Sequence, residues 1–310
     1  MEKPWRDLSG FLLEKFGEKT DKICIDGGFT CPNRDGRCGV GGCLFCSARG
    51  GGEFIPDPTL PVGEQMRRGI DAALAKGRRA KKFIAYFQNF SGTYAPTERL
   101  ASLYREATAD GRTVGLAVAT RPDCITEENA DLLAELGKTH YVWVELGLQT
   151  ASDTVARALN IGYDRTEFSR AVSLLAARGI DTVAHMMVGL PGEGRADVMR
   201  TVDFINRHAV TGIKIHATYV SEGSGLAALY GRGEYTPMER EEYTDTVTDI
   251  LAAARRDLVI HRLTGDPPKE GLLAPLWCRE KIEVLNEILR KMKERRLTQG
   301  CAYVPPVAGV

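Results

Sequence analysis

The stretch that decides the reading is Cys24–Gly52, CIDGGFTCPNRDGRCGVGGCLFCSARGGG, which carries five of the chain's eight cysteines. It follows directly on a short strand-like run, Lys22–Asp26. Cys31, Cys43 and Cys46 are separated by eleven and then two residues, while Cys38, Cys43 and Cys46 make C-x4-C-x2-C. Three thiolates on one loop can hold three irons of a [4Fe-4S] cluster and leave the fourth iron open to a small molecule. Cys31, Cys38, Cys43 and Cys46 can equally close a four-thiolate zinc site, and plain buried thiols are a third reading. The five glycines from Gly36 to Gly50 let the backbone wrap a compact ion at positive φ. Phe45, between the last two cysteines, offers its face to a planar ring such as adenine.

Outward from this loop, apolar runs of strand type alternate with helical periodicity. Helices are expected over residues 5–19, ending at Gly17, then after Pro61, over Thr97–Ala109, from Thr126 to Leu136, near Phe168–Arg178, and over Asp197–His208, Met238–Arg256 and Cys278–Arg296. Strands are expected at Lys22–Asp26, Phe83–Gln88, Val114–Arg121, Tyr141–Gln149, Asp181–Leu190, Gly212–Val220 and Leu258–Leu263. Such alternation predicts right-handed βαβ units and a parallel sheet. About seven strands are too few for a full eightfold barrel, so the expected fold is α/β, a partial, six-stranded (βα)6 barrel of the TIM type with short extensions. The expected division is an N-terminal extension over residues 1–20, the barrel over 21–265 and a helical extension over 266–310.

A net charge of zero gives no global attraction to nucleic acid or anionic membrane. No run of 18 apolar residues is present, and MEKPWRDLSGF lacks the apolar core of a signal peptide. Eight cysteines without such a signal point to a reducing compartment, so a cytoplasmic protein with no membrane partner is expected.

In parallel α/β folds chemistry gathers at the carboxyl ends of strands. Polar residues recur there: Gln88 and Asn89; Thr120, Arg121 and Asp123; Glu145 and Gln149; His185; His216; and His261, Arg262 and Asp266. Any one of them alone reads as a turn or cap, and His185, in apolar company, equally reads as a satisfied core histidine. Their recurrence on nearly every strand marks a polar pocket. GLPGE, Gly189–Glu193, leaves its strand in a way that suits backbone passing a flat ring, or an ordinary turn.

Taken together, CPNRDG…GGCLFC, YFQ, ATRPDC, WVELGLQT, GLPGE, GIKIH and HRLTGD, in that order, resemble the YtqA/YhcC branch of radical S-adenosylmethionine (SAM) proteins, which is related to the radical domain of the Elongator catalytic subunit. The resemblance runs from about residue 10 to 299. It implies that Cys31, Cys43 and Cys46 ligate a [4Fe-4S] cluster and that Cys38 is a local extra. It also implies that Phe45 lies beside the adenine of SAM, with the Gly189–Pro191 backbone on the other face. Glu145 would then meet the methionyl amino group and Gln149 the ribose. Gln88 and Ser91 stand where many such enzymes carry a glycine–glutamate motif for the amino group. Where the family pattern has Arg-Gly-His this chain has Ile161, Gly162 and Tyr163, so Arg157 or Arg165 is expected to supply the cation for the methionyl carboxylate.

The implied activity is reductive cleavage of SAM to a 5′-deoxyadenosyl radical, which takes hydrogen from a substrate in a dry pocket. His216, His261, Arg262 and Asp266 are the candidates for its far side, a His or Asp there moving a proton. Cys124, Cys278 and Cys301 read as small hydrophobes. The Elongator likeness implies tRNA, at a substituent of a wobble uridine, and an electron donor such as flavodoxin or ferredoxin. Basic clusters at Arg67-Arg68, Arg78–Lys82 and Arg290–Arg296 can meet phosphates, or can be solvated helix faces. A small metabolite or peptide as substrate, and a zinc-stapled binding protein, are the rival readings.

Overall fold

The computed structural model describes residues 3–52 and 57–305, so the outermost residues of both expected extensions lie outside the described residues. Seven parallel strands form one curled sheet: β1 Thr20–Ile25, β2 Lys82–Phe87, β3 Thr113–Thr120, β4 Tyr141–Gln149, β5 Asp181–Val188, β6 Gly212–Ala217 and β8 Val259–Arg262. They lie side by side in chain order, so the sheet has seven strands rather than six and does not close into a ring of eight. A two-stranded antiparallel ribbon, β7 Val220–Ser221 with β9 Leu272–Ala274, stands beside it.

Each strand is apolar on both faces because helices cover one face and a packed interior the other. Phe83, Ala85, Phe87, Val142, Val144, Leu146 and Leu148 belong to the large core cluster. It includes residues of α2 Val62–Ala75, α3 Thr97–Ala107, α4 Glu127–Leu136, α6 Arg165–Ala176, α7 Arg195–Asn206 and α9 Arg240–Ala253. The residues between them turn the other way: Ile84, Tyr86, Ala117, Trp143 and Val183 form a separate inner cluster. The period of two in a strand therefore puts Glu145 on the inner face with Trp143.

Local chemistry starts and stops the helices. The Asp7 side chain caps α1 Leu8–Phe16, and Gly17 ends it at φ 70°. Thr126 and Asn129 form a reciprocal capping box at α4. Helix α1 packs on both β1 and β8, the two edge strands, and Ile260 N–H donates to the Arg6 carbonyl at 2.8 Å. α5 Asp153–Ala158, α8 Gly225–Gly231, β7 and β9 were not expected, since elements of two to seven residues show too little periodicity to register. The last helix, α10 Lys281–Glu294, begins three residues later than expected, after a tight turn over Leu276–Arg279.

Candidate functional site

At the carboxyl ends of the strands a cavity of about 180 Å³ is lined by Cys31, Cys43, Cys46 and Phe45 from the loop after β1. Gln88, Ser91, Arg121, Glu145, Gln149, His185, Lys214, His216, Arg262 and Asp266 line it from the strand ends. The loop is clamped by its own backbone and by two short helices. Cys31 accepts from Arg34 N–H at 2.8 Å, and Cys46 N–H donates to the Cys43 carbonyl at 2.9 Å. Leu44 N–H reaches the Leu159 carbonyl after α5, and the Leu44 carbonyl accepts from Leu226 in α8. Gly41 and Gly42 turn at φ 79° and 80°, and a side chain at Gly42 would fall 2.9 Å from Arg34 Nε.

Burial pushes the Cys43 thiol up to about 12, and its neighbours Cys46 and Cys31 add to the effect. Burial and the nearby Cys46 and Cys31 disfavour the Cys43 thiolate, and a bound cationic group would offset both. The Asn33 amide, 3.6 Å from Cys43 Sγ, is placed to donate to a thiolate there. Among the described residues no three His, Cys, Asp or Glu are set to hold a single ion. Cys38, the fourth thiol a zinc cage needs, is exposed and lies 3.5 Å from Arg121 Nη2 and 3.9 Å from Asp123. The four cysteines are therefore not gathered as a single-ion cage among the described residues, while three of them share the cavity wall.

Gln149 closes β4 at φ 65°, the left-handed region, and its buried Oε1 has no partner. Strain of this kind together with an orphaned acceptor marks a ligand site. A Cβ on Gly147 would meet Gln149 Nε2 at 2.9 Å and Tyr163 Oη at 3.1 Å, so a larger residue there would push the Gln149 and Tyr163 side chains aside. Gln88 Nε2 donates to the Gly51 carbonyl at 2.9 Å, and its Oε1 accepts from the Cys24 thiol at 3.1 Å. Ser91 is fully buried beside the Cys124 thiol.

Glu145 is engaged more fully than the sequence suggests. One oxygen accepts from Lys214 Nζ at 2.7 Å and Tyr86 Oη at 2.6 Å; the other lies 3.3 Å from both Lys22 Nζ and Trp143 Nε1. Burial alone would raise its pKa, but Lys214 and Lys22 outweigh burial and hold it well below the carboxylate range. Burial lowers Lys214 to about 8 against the pull of Glu145. A methionyl amino group would have to displace one of these donors. Lys214 and Tyr86 were missed as site residues; the signal was Lys214 and His216 at the same parity in the apolar strand GIKIHA.

Three expectations differ from the set of residues that lines the cavity. His261 does not reach the cavity wall: its ring packs edge-on against Trp143 at 5.7 Å, with Nδ1 3.9 Å from Glu145, beneath the pocket. Gly189 and Pro191 also lie off the wall. The positive φ of Gly189 turns the chain past Met238, and its carbonyl accepts from Tyr235 at 2.7 Å. Arg157 and Arg165 are exposed on an outer cleft with Arg200 and Arg207. The cations facing the cavity from the loop side are Arg34 and Arg121, the latter 4.6 Å over the Tyr163 ring and paired with Asp123 at 2.7 Å.

His216, Arg262 and Asp266 do come together: Arg262 donates to His216 Nε2 at 3.1 Å and pairs with Asp266 at 2.8 Å. The basic clusters are largely tied to carboxylates, Arg67 and Arg68 to Glu64, Arg78 to Asp21, Lys81 to Glu18, and Arg290 to Glu294. Phe83, Tyr86 and Phe87 are buried strand core.

Comparison with known proteins agrees with this geometry. The model of the Radical SAM superfamily matches residues 33–205, and that of the Radical_SAM C-terminal domain matches residues 210–294. YtqA of Bacillus subtilis, an uncharacterized protein, is 38% identical over 299 residues, covering 96% of this chain and 92% of that one. YhcC of Escherichia coli is 36% identical over 308 residues, 96% of each chain. A tRNA uridine(34) acetyltransferase of Dehalococcoides mccartyi is 32% identical over 172 residues, 54% of this chain and 37% of its own. The structure of archaeal Methanocaldococcus infernus Elp3 shares the fold at TM-score 0.70 and 17% identity, over 90% of this chain and 64% of that one. No helix among the described residues is long and apolar enough to cross a membrane. By sequence over nearly its whole length, and by a parallel sheet bearing three cysteines on one cavity wall, the chain belongs to the radical SAM superfamily.

Proposed function

We propose that Cys31, Cys43 and Cys46 hold a [4Fe-4S] cluster, that SAM binds beside it in the cavity, and that the chain acts on tRNA in the cytoplasm. The observation that carries this reading is the trio of sulfurs on the cavity wall with Cys38 set apart. The cluster would supply an open iron for the amino acid end of SAM and one electron, delivered by a carrier such as flavodoxin or ferredoxin, to break its sulfonium bond. Phe45 offers a ring face for adenine, and the unpaired Gln149 Oε1 accepts from a ribose hydroxyl. Arg34, whose Nε is buried without a partner and whose Nη2 is held by the Cys46 and Ser47 carbonyls, is the cation for the methionyl carboxylate. Ser91 and Gln88 border the amino end, and Phe90, Ala119 and Met187 keep the space apolar where a radical has to be protected from water.

The tRNA assignment rests on the partial likeness to a tRNA uridine(34) acetyltransferase and is tested separately. Nucleoside mass spectrometry of tRNA from cells with and without the protein should show one modified uridine lost. An unchanged profile removes tRNA and leaves the SAM chemistry standing.

A further inference from the structure

Apart from the cysteine loop, the cavity has a second wall, built by β5, β6 and β8 and used by no step above. Lys214 and His216 from β6, His185 from β5 and Arg262 from β8 all face the same space. Two features set this wall apart. The first is charge: Lys22, Lys214, Arg262 and Lys281 share only Glu145 and Asp266 as ion-pair partners among the described residues. On the wall itself Lys214 and Arg262 stand against Glu145 and Asp266, while Lys22 and Lys281 reach the same two carboxylates from outside the cavity and bring the local balance to four cations on two carboxylates. The second is unused donors. Arg262 has five N–H groups, and its described partners are His216 and Asp266. Lys214 has three, and two of them go to Tyr86 at 2.8 Å and Glu145 at 2.7 Å.

The histidines are neutral partners in this array. Arginine can only donate, so His216 Nε2 accepts from it and the ring proton sits on Nδ1. The His185 ring packs 4.6 Å from that of His216, and its buried Nε2 has no hydrogen-bond partner.

We propose that this wall is a subsite for an oxyanion, a carboxylate or a phosphate, on the molecule that gives up the hydrogen atom. Arg262 and Lys214 hold the anion with their spare N–H groups, and His185 completes the contact. The subsite rests on the reading of this cavity as a SAM site, since it places the substrate's charged end on the wall that SAM leaves open. Charge-assisted bonds in a water-poor cavity are strong and directional, so a neutral analogue of the same shape is excluded.

The test uses cluster-loaded protein with saturating SAM and no reductant. Its thermal midpoint is followed against inorganic phosphate and, separately, succinate, with chloride at equal ionic strength as baseline. Saturable stabilisation by one of the two is expected, and which one names the oxyanion. Arg262→Gln should weaken it by about tenfold, the worth of one charge-assisted hydrogen bond. Arg262→Lys should keep part of it, and Arg157→Gln on the outer surface should change nothing. The proposal is overturned if neither anion exceeds chloride, or if Arg262→Gln responds as the unsubstituted protein does. A protein that SAM itself fails to stabilise contradicts the SAM reading instead, whatever the anions do.

Discussion

The two walls of the cavity are made in opposite ways. The cysteine wall comes from one continuous loop, its geometry set by near-neighbour backbone bonds such as Cys46 to Cys43 and by glycines at positive φ. The strand wall is assembled from Tyr86, Glu145, His185, Lys214 and Arg262, residues far apart in the chain that meet because parallel strands line up in register. The first is set by local backbone geometry; the second, whatever it binds, is also part of the interior that holds the fold. Substitutions should therefore separate them, costing ligand on one side and stability on the other.

The largest expected effect is on the loop. Cys43→Ala should lose nearly all iron after anaerobic reconstitution, while Cys38→Ala keeps it; equal loss in both would erase the distinction between Cys38 and the trio. On the strand wall, Lys214→Met leaves the buried Glu145 carboxylate with Lys22 at 3.3 Å as its remaining lysine partner and should lower stability by about 3 kcal/mol in urea unfolding. Adding Glu145→Gln to that variant should restore part of the loss, because the under-compensated charge is gone. A loop cysteine variant with a comparable loss in the metal-free protein would show that the loop too is structural.

Acid should act on the strand wall. Burial lowers His185 and His261 to about 3, with nearby Lys214 and Lys22 contributing, and burial together with His185 and Arg262 holds His216 well below its ordinary value. In each case the unfolded chain takes up a proton near pH 6.5 that the folded chain refuses. The stability these groups contribute is complete above that pH and is lost as pH falls towards about 3, by about 1.4 kcal/mol per pH unit per histidine. His185→Gln should flatten the slope of unfolding free energy against pH by one such increment. A slope unchanged in that variant would mean that His185 charges in the folded state.

These differences follow what the sequence made legible. The seven strands were readable because parallel strands buried on both faces are near-continuous apolar runs, and the cysteine loop because its chemistry is local. Lys214 was not, because its partner Glu145 lies two strands away, and pairing them requires the register Gly147 to His185 to Lys214. His261 and Gly189 looked like site residues for the opposite reason: position at a strand end does not say which way a residue faces. His261 stops at the layer of Trp143 and Gly189 turns away towards Met238. A cation for the SAM carboxylate was sought near Ile161 in sequence, whereas the cations that border the cavity from the loop side are Arg34 and Arg121.

The smallest effect sharpens the boundary between the walls. Gln149 holds φ 65° without being glycine, at a cost of about 1 kcal/mol. Gln149→Gly should raise thermal stability by about that amount and weaken SAM binding measured by equilibrium dialysis; a gain in both would remove Gln149 from the ligand site.

The central claim is that three sulfurs leave one metal corner for SAM. It is tested most directly by giving reconstituted protein dithionite and SAM and measuring 5′-deoxyadenosine by mass spectrometry. The unsubstituted protein should release 5′-deoxyadenosine with methionine even without substrate, and Cys46→Ala should release none. Protein that carries four irons per chain yet never forms 5′-deoxyadenosine would contradict the account.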